Sequence, residues 1–426
     1  MKSQFTHSLV AAVSLMAVIG CSGTPTSGET SPSAASTSTG GTTSTGGTAS
    51  TGGTTSTGGS TTTKLVATSI ATGYHHTCAS LNDGTVLCWG ITAYIYTNSC
   101  GLPGTCQYNE SGLGCDPCSL TPMAVTGITD AIAVFSYSSE NCALLKSGTI
   151  QCWGLSPGSG LAAIPGITNP AAVSVGCAVM RDGTIQCWGG NLGNGTTTTS
   201  TTPVLVTGIT DAIAVSTGSD QTCAVLSGGT VQCWGNNSNG QLGNGTQTAS
   251  SVPVAVSGIT NAINISAGDT HTCALLGDGT IQCWGNNFSG QLGNPTTLDS
   301  TLPIPVTGIT NAIAVSAGSL FTCALLRGGT VQCWGDNTTG ELGIGTTTNG
   351  SATVAIGSST TPVTVSGVTN AIAISANPSY GSSTIRAHAC ALLSGGTVQC
   401  WGYNSFGELG DGTTTMSYVP VTVTGF

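Results

Sequence analysis

From residue 64 onward, apolar and polar positions alternate in short stretches that are separated by glycine-rich segments. Four stretches make one unit, with examples at Pro253–Ile259, Ala312–Ser316, Thr272–Leu276 and Thr280–Trp284. This alternation and the many β-branched residues predict strands. The segment Gly277-Asp278-Gly279 and its Gly-Gly equivalents predict hairpin turns, because those positions favour a positive φ.

The unit recurs seven times, and each copy carries the pattern Cys-x9-Cys-Trp-Gly. The paired cysteines are Cys78/Cys88, Cys142/Cys152, Cys177/Cys187, Cys223/Cys233, Cys273/Cys283, Cys323/Cys333 and Cys390/Cys400. Four-stranded units that repeat radially form a β-propeller. The sequence therefore predicts an all-β fold, a seven-bladed β-propeller over residues 64–426, with one tryptophan filling the space beside each blade. A carbohydrate-stacking platform is the alternative role for that tryptophan row.

The two ends of the repeat region complement each other. Residues 67–73 match Ala312–Gly318, so the first unit begins at its second stretch. The C-terminal residues 419–426 match the missing first stretch. We therefore expect the propeller to be closed by the C-terminal strand, placed in blade one.

Paired cysteines face each other across their hairpin turn, which brings directly opposed residues within disulfide distance. Seven disulfides are the expected result, because Cys-x9-Cys without a matching histidine pair is a poor zinc pattern. Four further cysteines lie after Trp89 in the first unit: Cys100, Cys106, Cys115 and Cys118. Two local disulfides are expected for them, and a zinc or redox site at the last two is the alternative.

The N-terminus has the pattern of an export signal. Lys2 precedes an apolar stretch over residues 9–19 that is too short to span a bilayer, and Val18-Ile19-Gly20-Cys21 resembles a bacterial lipobox. This predicts a lipoprotein signal peptide over 1–20 and lipidation of Cys21; an ordinary signal peptide is the alternative. Because Ser22 follows the cysteine, the sorting pattern favours an outer-membrane lipoprotein that faces the cell exterior.

Residues 21–63 form the predicted linker, rich in Thr, Ser and Gly. Six-residue repeats such as STGGTT fill much of it. Such a segment buries too little apolar surface to offset its ordering entropy. We therefore expect a disordered N-terminal stalk that holds the propeller away from the membrane.

Composition narrows the partners and the compartment. The net charge is −10, with only 6 Lys plus Arg, so the chain lacks the basic surface that nucleic acids and acidic lipids require. The 19 cysteines indicate an oxidising compartment. We expect a monomer that contacts the membrane through its lipid anchor only and binds no nucleic acid.

Units such as Gly268–Leu276 with Gly279–Gly293 resemble the repeats of the regulator of chromosome condensation family. The resemblance covers nearly all of residues 64–426 and implies a seven-bladed propeller. Members of that family include a guanine-nucleotide exchange factor that binds chromatin, ultraviolet sensors and a β-lactamase inhibitor, so the fold alone does not fix a function. An acidic, exported and cysteine-rich chain departs from the exchange factor, which makes that activity a remote alternative.

No catalytic constellation, cofactor site or metal site is predicted. His76, His271 and His388 share one repeat position, which favours a structural role, and Asp336–Glu341 resembles a calcium loop only faintly. A glycan hydrolase or lyase is the enzymatic alternative, although it needs two facing carboxylates. The paired aspartates of the chain, Asp130/Asp211 and Asp220/Asp269, look more like repeat drift than a catalytic pair.

Unit lengths point to a recognition site on one propeller face. Blade one has an insertion at about 91–108 and blade seven at about 377–387, whereas blade three has lost the corresponding loop at Val175-Gly176. Both insertions should rise side by side once the ring closes. The candidate ligand-facing residues are His75, His76, Tyr94, Tyr96, Tyr108 and Tyr380. We expect non-enzymatic binding of a protein or envelope polysaccharide there; neutral insertion into exposed loops is the alternative.

Overall fold

The computed structural model describes residues 64–91, 118–154, 161–345, 357–377 and 386–425. In these ranges the regular elements are 28 strands, which form seven four-stranded sheets. The predicted seven-bladed, all-β propeller is confirmed. Within the described ranges no helix is long and apolar enough to cross a membrane.

The strands follow the repeat in chain order, four to a blade. Blades one and two contain β1 (Ala67–Thr72), β2 (His76–Leu81), β3 (Val86–Ile91), β4 (Cys118–Ala124), β5 (Ala131–Tyr137), β6 (Glu140–Leu145), β7 (Ile150–Gly154) and β8 (Ala162–Ala163). Blades three and four contain β9 (Ala172–Ser174), β10 (Cys177–Val179), β11 (Ile185–Gly189), β12 (Ser200–Leu205), β13 (Ala212–Thr217), β14 (Gln221–Leu226), β15 (Val231–Gly235) and β16 (Ser250–Ala255).

Blades five to seven continue the same order. They contain β17 (Ala262–Ala267), β18 (His271–Leu276), β19 (Ile281–Gly285), β20 (Ser300–Pro305), β21 (Ala312–Ala317), β22 (Phe321–Leu326), β23 (Val331–Gly335), β24 (Ser359–Thr364), β25 (Ala371–Ala376), β26 (His388–Leu393), β27 (Val398–Gly402) and β28 (Ser417–Thr422). Every sheet is an antiparallel meander with neighbours in sequence order.

The outermost strand of each blade corrects one prediction. The Pro-Val stretch pairs with the tryptophan-bearing strand that precedes it, as in Cys283↔Ile304, and not with the unit that follows. The C-terminal strand β28 accordingly pairs with β27 of blade seven, and blade one has its own outer strand, β4. The expected exchange of the C-terminal strand into blade one is wrong, because each blade completes its sheet from consecutive strands.

Direct contacts between blades seven and one close the ring instead. The backbone N–H of Ala67 donates to the carbonyl of Gly396 (3.2 Å), just as Ala312 donates to Gly279 between blades five and six (2.9 Å). Gly279 has a φ of 82°, so this hairpin turn has the backbone that its sequence predicted.

The hydrophobic core lies between neighbouring blades. Between blades five and six it includes Val306, Ile309 and Trp334, which are buried with the Cys273–Cys283 disulfide. The indole Nε1 of Trp334 donates to the carbonyl of Gln291 in the preceding blade (2.9 Å). Trp89, Trp234, Trp284, Trp334 and Trp401 are fully buried. The tryptophan row therefore fills space between blades and offers no stacking platform at those positions.

All seven predicted hairpin disulfides are present in the structure. The bridged pairs are Cys78–Cys88, Cys142–Cys152, Cys177–Cys187, Cys223–Cys233, Cys273–Cys283, Cys323–Cys333 and Cys390–Cys400. Cys118 is also disulfide-bonded, while Cys100, Cys106 and Cys115 lie outside the described residues, as do Cys21, the signal peptide and the stalk. The seven disulfides indicate an oxidising environment.

Candidate binding face

The meander sends two kinds of loop to the same end of every blade. The loop between the first and second strands and the loop between the third and fourth strands share one face, which we call the loop face. In blade four these loops are residues 218–220 and 236–249. The cysteine hairpin turns lie on the opposite face, which we call the turn face.

The central channel is narrow and lined mainly by Ala, Val, Ser and Thr side chains, together with Phe135 and Tyr137. Serine hydroxyls there accept hydrogen bonds from the next blade's backbone, as Ser216 does from Ala267 (3.0 Å) and Ser266 from Ala317 (2.9 Å). Ser375 accepts from Thr72 in the same way across the closure (3.0 Å). The channel cavity is about 70 Å³, which holds a few water molecules and is too small for a polymer substrate.

The three repeat-position histidines are buried between blades. His271 Nε2 donates to the hydroxyl of Thr322 (2.8 Å) and His76 Nε2 donates to Asn141 Oδ1 (2.7 Å), in each case in the next blade. Burial lowers the pKa of His76 to about 4 and the pKa values of His271 and His388 to about 3. His76, which the sequence suggested as ligand-facing, has no exposed surface and instead joins blades one and two.

His75 lies at the seam between blades seven and one, within a cluster of aromatic and charged side chains. Its ring centroid is 3.8 Å from that of Tyr74, 4.8 Å from that of Phe406 and 6.1 Å from that of Tyr403. The guanidinium of Arg386 lies 5.9 Å from the Tyr403 ring centroid, which is cation–π distance. We call this cluster the aromatic seam; its members are Tyr74, His75, Arg386, Tyr403, Phe406 and Glu408.

Glu408 is the buried residue beneath the aromatic seam, and it is hydrogen-bonded to both blades. Its side chain is fully buried, and its Oε1 accepts a hydrogen bond from His75 Nδ1 (3.3 Å). Its Oε2 accepts from the backbone N–H of Phe406 (2.9 Å). Its carbonyl accepts from both Thr77 Oγ1 (3.0 Å) and Trp89 Nε1 (2.8 Å) of blade one. This blade-seven residue therefore bonds to the rings of His75 and Trp89 in blade one. Four members of the cluster keep part of their surface exposed: Tyr74, Tyr403, Phe406 and Arg386.

The two predicted insertions begin beside this cluster. The backbone N–H of Ile91, the first residue of the blade-one insertion, donates to the carbonyl of His75 (2.7 Å). Asn377 Nδ2, in the first residue of the blade-seven insertion, donates to the carbonyl of Tyr74 (3.3 Å). The candidate residues Tyr94, Tyr96, Tyr108 and Tyr380 lie outside the described residues. The described flanking residues of both insertions thus lie at the same seam.

Tyr403 and Phe406 are absent from the residues predicted to face a ligand, because that prediction relied on insertions between repeat units. These two residues are substitutions within a loop of ordinary length. Blade five has Asn286 and Ser289 at the equivalent positions, so the two aromatic rings are departures within otherwise regular loops. Burial raises the pKa of Tyr403. Both residues stand out in the sequence when the seven repeat units are aligned with one another.

The buried carboxylates of the loop face, among the described residues, do not form an open catalytic pair. Asp336 and Glu341 are buried, and their oxygens accept hydrogen bonds from Thr338 and Thr339. Burial, together with the nearby Asp336, raises the pKa of Glu341 to about 8. Asp269 is also buried and accepts from Ser319 (2.8 Å). Among the described residues, no group of three or more His, Cys, Asp or Glu side chains is arranged to hold a metal ion.

Charge is distributed unevenly between the two faces. Of the basic side chains in the described ranges, four lie on the turn face or at its edge: Lys64, Lys146, Arg181 and Arg327. Arg386 is the fifth, and it lies on the loop face together with the exposed carboxylates of Glu140, Asp220 and Asp299. The loop face therefore favours an uncharged or basic partner over an acidic one.

Comparison with protein families supports the repeat assignment. The family described as "Regulator of chromosome condensation (RCC1) repeat" matches residues 228–275 and 278–325. A second profile with the same description matches residues 67–101, 212–241, 262–291, 312–341 and 386–408. A comparison with curated protein sequences found no match.

Solved structures share the fold at low sequence identity. Yeast RCC1 (Prp20) bound to Kap60 is 19% identical, covers 84% of this chain and 75% of its own, and has a TM-score of 0.51. Prp20p from Saccharomyces cerevisiae, in a study of its binding to Gsp1p and histones, is 19% identical with a TM-score of 0.50, and the match covers 84% of this chain and 76% of that one. Human WBSCR16 is 19% identical with a TM-score of 0.48, and the match covers 85% and 83%. At this identity the likeness to the two yeast structures establishes the fold alone.

Proposed function

Since this chain is a seven-bladed propeller of regulator of chromosome condensation (RCC1) repeats, we propose that it is a binding scaffold that recognises a protein or an envelope polymer through the aromatic seam. The observation that carries the proposal is the cluster of four partly exposed side chains from two blades beside His75, whose ring is hydrogen-bonded to the buried carboxylate of Glu408. These side chains belong to Tyr74, Arg386, Tyr403 and Phe406.

The chemistry of the seam is that of a recognition surface. Aromatic rings and arginine contribute large contact areas at modest entropic cost and are enriched at the energetic centres of interfaces. Loops held on a rigid scaffold are the usual place for such contacts. The yeast relatives are described with protein partners, which shows that this architecture can engage proteins. The acidic net charge of −10 disfavours the chromatin role of the eukaryotic exchange factor.

We also propose that the protein is exported and held at the outer membrane by lipid on Cys21. The seven disulfides support the oxidising compartment that export supplies. Labelling with a clickable fatty acid tests the anchor: the whole chain should incorporate label, and Cys21→Ser should not. Equal labelling of both forms would contradict the anchor without affecting the binding proposal.

Retention of envelope components on the immobilised, oxidised chain tests the binding role. Purified envelope glycans and solubilised envelope proteins are offered separately to the parent and to a Tyr403→Asn/Phe406→Ser variant. These substitutions introduce the residues that blade five carries at the same places, so the loop fold is expected to persist. Phe288→Ala is the matched control, because Phe288 is 71% exposed on the corresponding loop of blade five.

Saturable retention of one component should fall about tenfold or more in the double variant and stay unchanged in the control. Retention that survives the double variant, or that is lost in the control, would overturn the aromatic seam as the site. Shortening of a retained glycan would favour the enzymatic alternative.

A further inference from the structure

Blade three lacks a turn that the later blades possess. Three residues separate Trp188 from Leu192, whereas seven separate Trp234 from Leu242 in blade four. The facing loop is shorter too, since only Val175 and Gly176 join β9 to β10. The two losses belong together, because in blade four these loops bond to each other through Asn236 N and Asp220 O (2.7 Å).

The missing turn has a defined place in the other blades. In blade four it brings Gly240 against the outer strand of blade five, where a Cβ on Gly240 would lie 2.8 Å from Thr301 Cα. Gly290 packs against Thr360 in the same way, and Gly407 packs against Leu120. The turn of one blade therefore covers the beginning of the outer strand of the next.

At the junction between blades three and four, no turn in the described part of the chain covers the beginning of the outer strand, and a groove is found there instead. The equivalent of Thr301 is Ser251, which lines a cavity of about 360 Å³. A Cβ added to Gly189 or Gly190 would meet no atom within 4 Å, so the blade-three side is open. We call this cavity the blade-three groove; it is lined by Asn191, Thr196, Thr197, Asn236, Ser250 and Ser251.

A hydrogen bond found at the junction between blades four and five is also absent at the junction between blades three and four, among the described residues. Thr272 donates to the carbonyl of Gln241 (3.0 Å), which the blade-four turn supplies. The equivalent hydroxyl, that of Thr222, is buried and has no hydrogen-bond partner within the described part of the chain. Trp234 Nε1 does keep its bond, to the carbonyl of Asn191 (2.7 Å). The junction between blades three and four therefore keeps its tryptophan hydrogen bond, although the volume that the turn fills in other blades stays open.

From this geometry we propose that the blade-three groove is a docking site for a short, uncharged, glycine-containing turn of a partner protein. The cavity has the size of a small-ligand site, and no ionisable side chain lines it. The turns that fill the same place in blades four and five are uncharged, Asn236–Gln241 and Asn286–Gln291. The equivalent turns of blades six and seven do carry carboxylates, but these are buried: Asp336, Glu341 and Glu408. The glycine is required because Gly240 has a φ of 79° and leaves no room for a side chain.

A cyclic peptide that carries the sequence of residues 237–241, Asn-Ser-Asn-Gly-Gln, is the probe. Its binding to the oxidised whole chain is measured by calorimetry and by amide chemical shifts. The affinity is expected to be modest, because a free peptide loses translational and conformational freedom that a tethered turn does not. The matched control peptide has valine in place of the glycine, and a set of neutral oligosaccharides is tested in parallel.

Two variants are designed so that residues of the chain itself fill the groove. In one, Gly190-Asn191 is replaced by the six residues found at 236–241 in blade four. In the other, Ser251→Tyr introduces the residue that blade seven has at this place, Tyr418. Both should keep the fold, as judged by circular dichroism, and both should weaken peptide binding by about tenfold or more. The valine peptide should bind correspondingly less.

Binding that is unchanged in both variants, or equal for the glycine and valine peptides, would overturn the proposal, as would no measurable binding of the glycine peptide. Saturable binding of an oligosaccharide that displaces the peptide would reassign the groove to a neutral glycan.

Discussion

His388 Nε2 of blade seven donates a hydrogen bond to Thr77 Oγ1 of blade one (2.8 Å), and Thr77 in turn donates to the carbonyl of Glu408 (3.0 Å). The same relay joins blades five and six, where His271 donates to Thr322, and Thr322 to the carbonyl of Gln291. The junction between the first and last blades is therefore built like an interior junction. A propeller without strand exchange needs such a closure, since noncovalent contacts alone hold its ends together.

Acid should weaken the propeller through its buried histidines. The pKa of His271 is about 3 in the folded chain, against about 6.5 when unfolded. The unfolded state therefore gains protons first, and the stability that the neutral ring supplies above about pH 6.5 is lost as the pH falls towards 3. His271→Phe, which introduces the residue that blade six has at this place, Phe321, should reduce the loss of unfolding free energy between about pH 7.5 and pH 5 by about 2 kcal/mol. Denaturant unfolding at both pH values checks this, and an unchanged loss would contradict it.

Base should weaken blade six through Glu341. Its pKa is raised to about 8, so the stability that the protonated side chain supplies below its ordinary pKa is lost as the pH rises from about 4.5 to about 8. Glu341→Gln introduces the residue that blade five uses, Gln291. It should stabilise the chain by about 4 kcal/mol at pH 8 and by almost nothing at pH 4. A gain of the same size at both pH values would show that ionisation is not its cause.

Two glycines with similar backbones should differ in their tolerance of a methyl group. Gly243 has a φ of 67°, and an added Cβ would lie 2.7 Å from Trp284 Nε1. Gly258 has a φ of 75°, with nothing within 4 Å of an added Cβ. Gly258→Ala should cost about 1 kcal/mol from the backbone alone, whereas Gly243→Ala should cost about 2–4 kcal/mol because it also displaces the tryptophan. Thermal unfolding of both variants compares them, and equal losses would show that the indole moves aside freely.

Each hairpin disulfide should contribute to stability by constraining the unfolded chain. Cys273 and Cys283 are 10 residues apart in sequence. Replacing both by alanine should lower the free energy of unfolding by about 2–3 kcal/mol in the chain-entropy model. After full reduction of the parent and the variant, the difference between them should shrink to the packing loss alone. Urea unfolding of both proteins, oxidised and reduced, measures the two terms, and a difference that reduction leaves unchanged would assign the effect to packing.

Much of the local structure follows from the repeat itself. Alternating apolar positions, a positive-φ glycine such as Gly279 and the Cys273–Cys283 spacing are local signals, and the structure has the predicted strand, turn and disulfide at each. The seven-fold count also follows from sequence, because each unit carries its own cysteine pair and tryptophan. These features depend on residues close together in the chain, where backbone geometry leaves few choices.

Tertiary structure decided what the local signals left open. A strand such as β20 lies between two cysteine hairpins in the sequence, and its alternating pattern would allow it to pair with either one. Only the sheet register shows that it pairs with the preceding hairpin, through β19. The aromatic seam joins His75 to Phe406 and Glu408, more than 300 residues away, and the blade-three groove depends on a turn that is missing from the chain. Sequence determined the strands, hairpin turns and disulfides because their bonds are local. The sites lie between blades, where contacts exist only once the ring has closed.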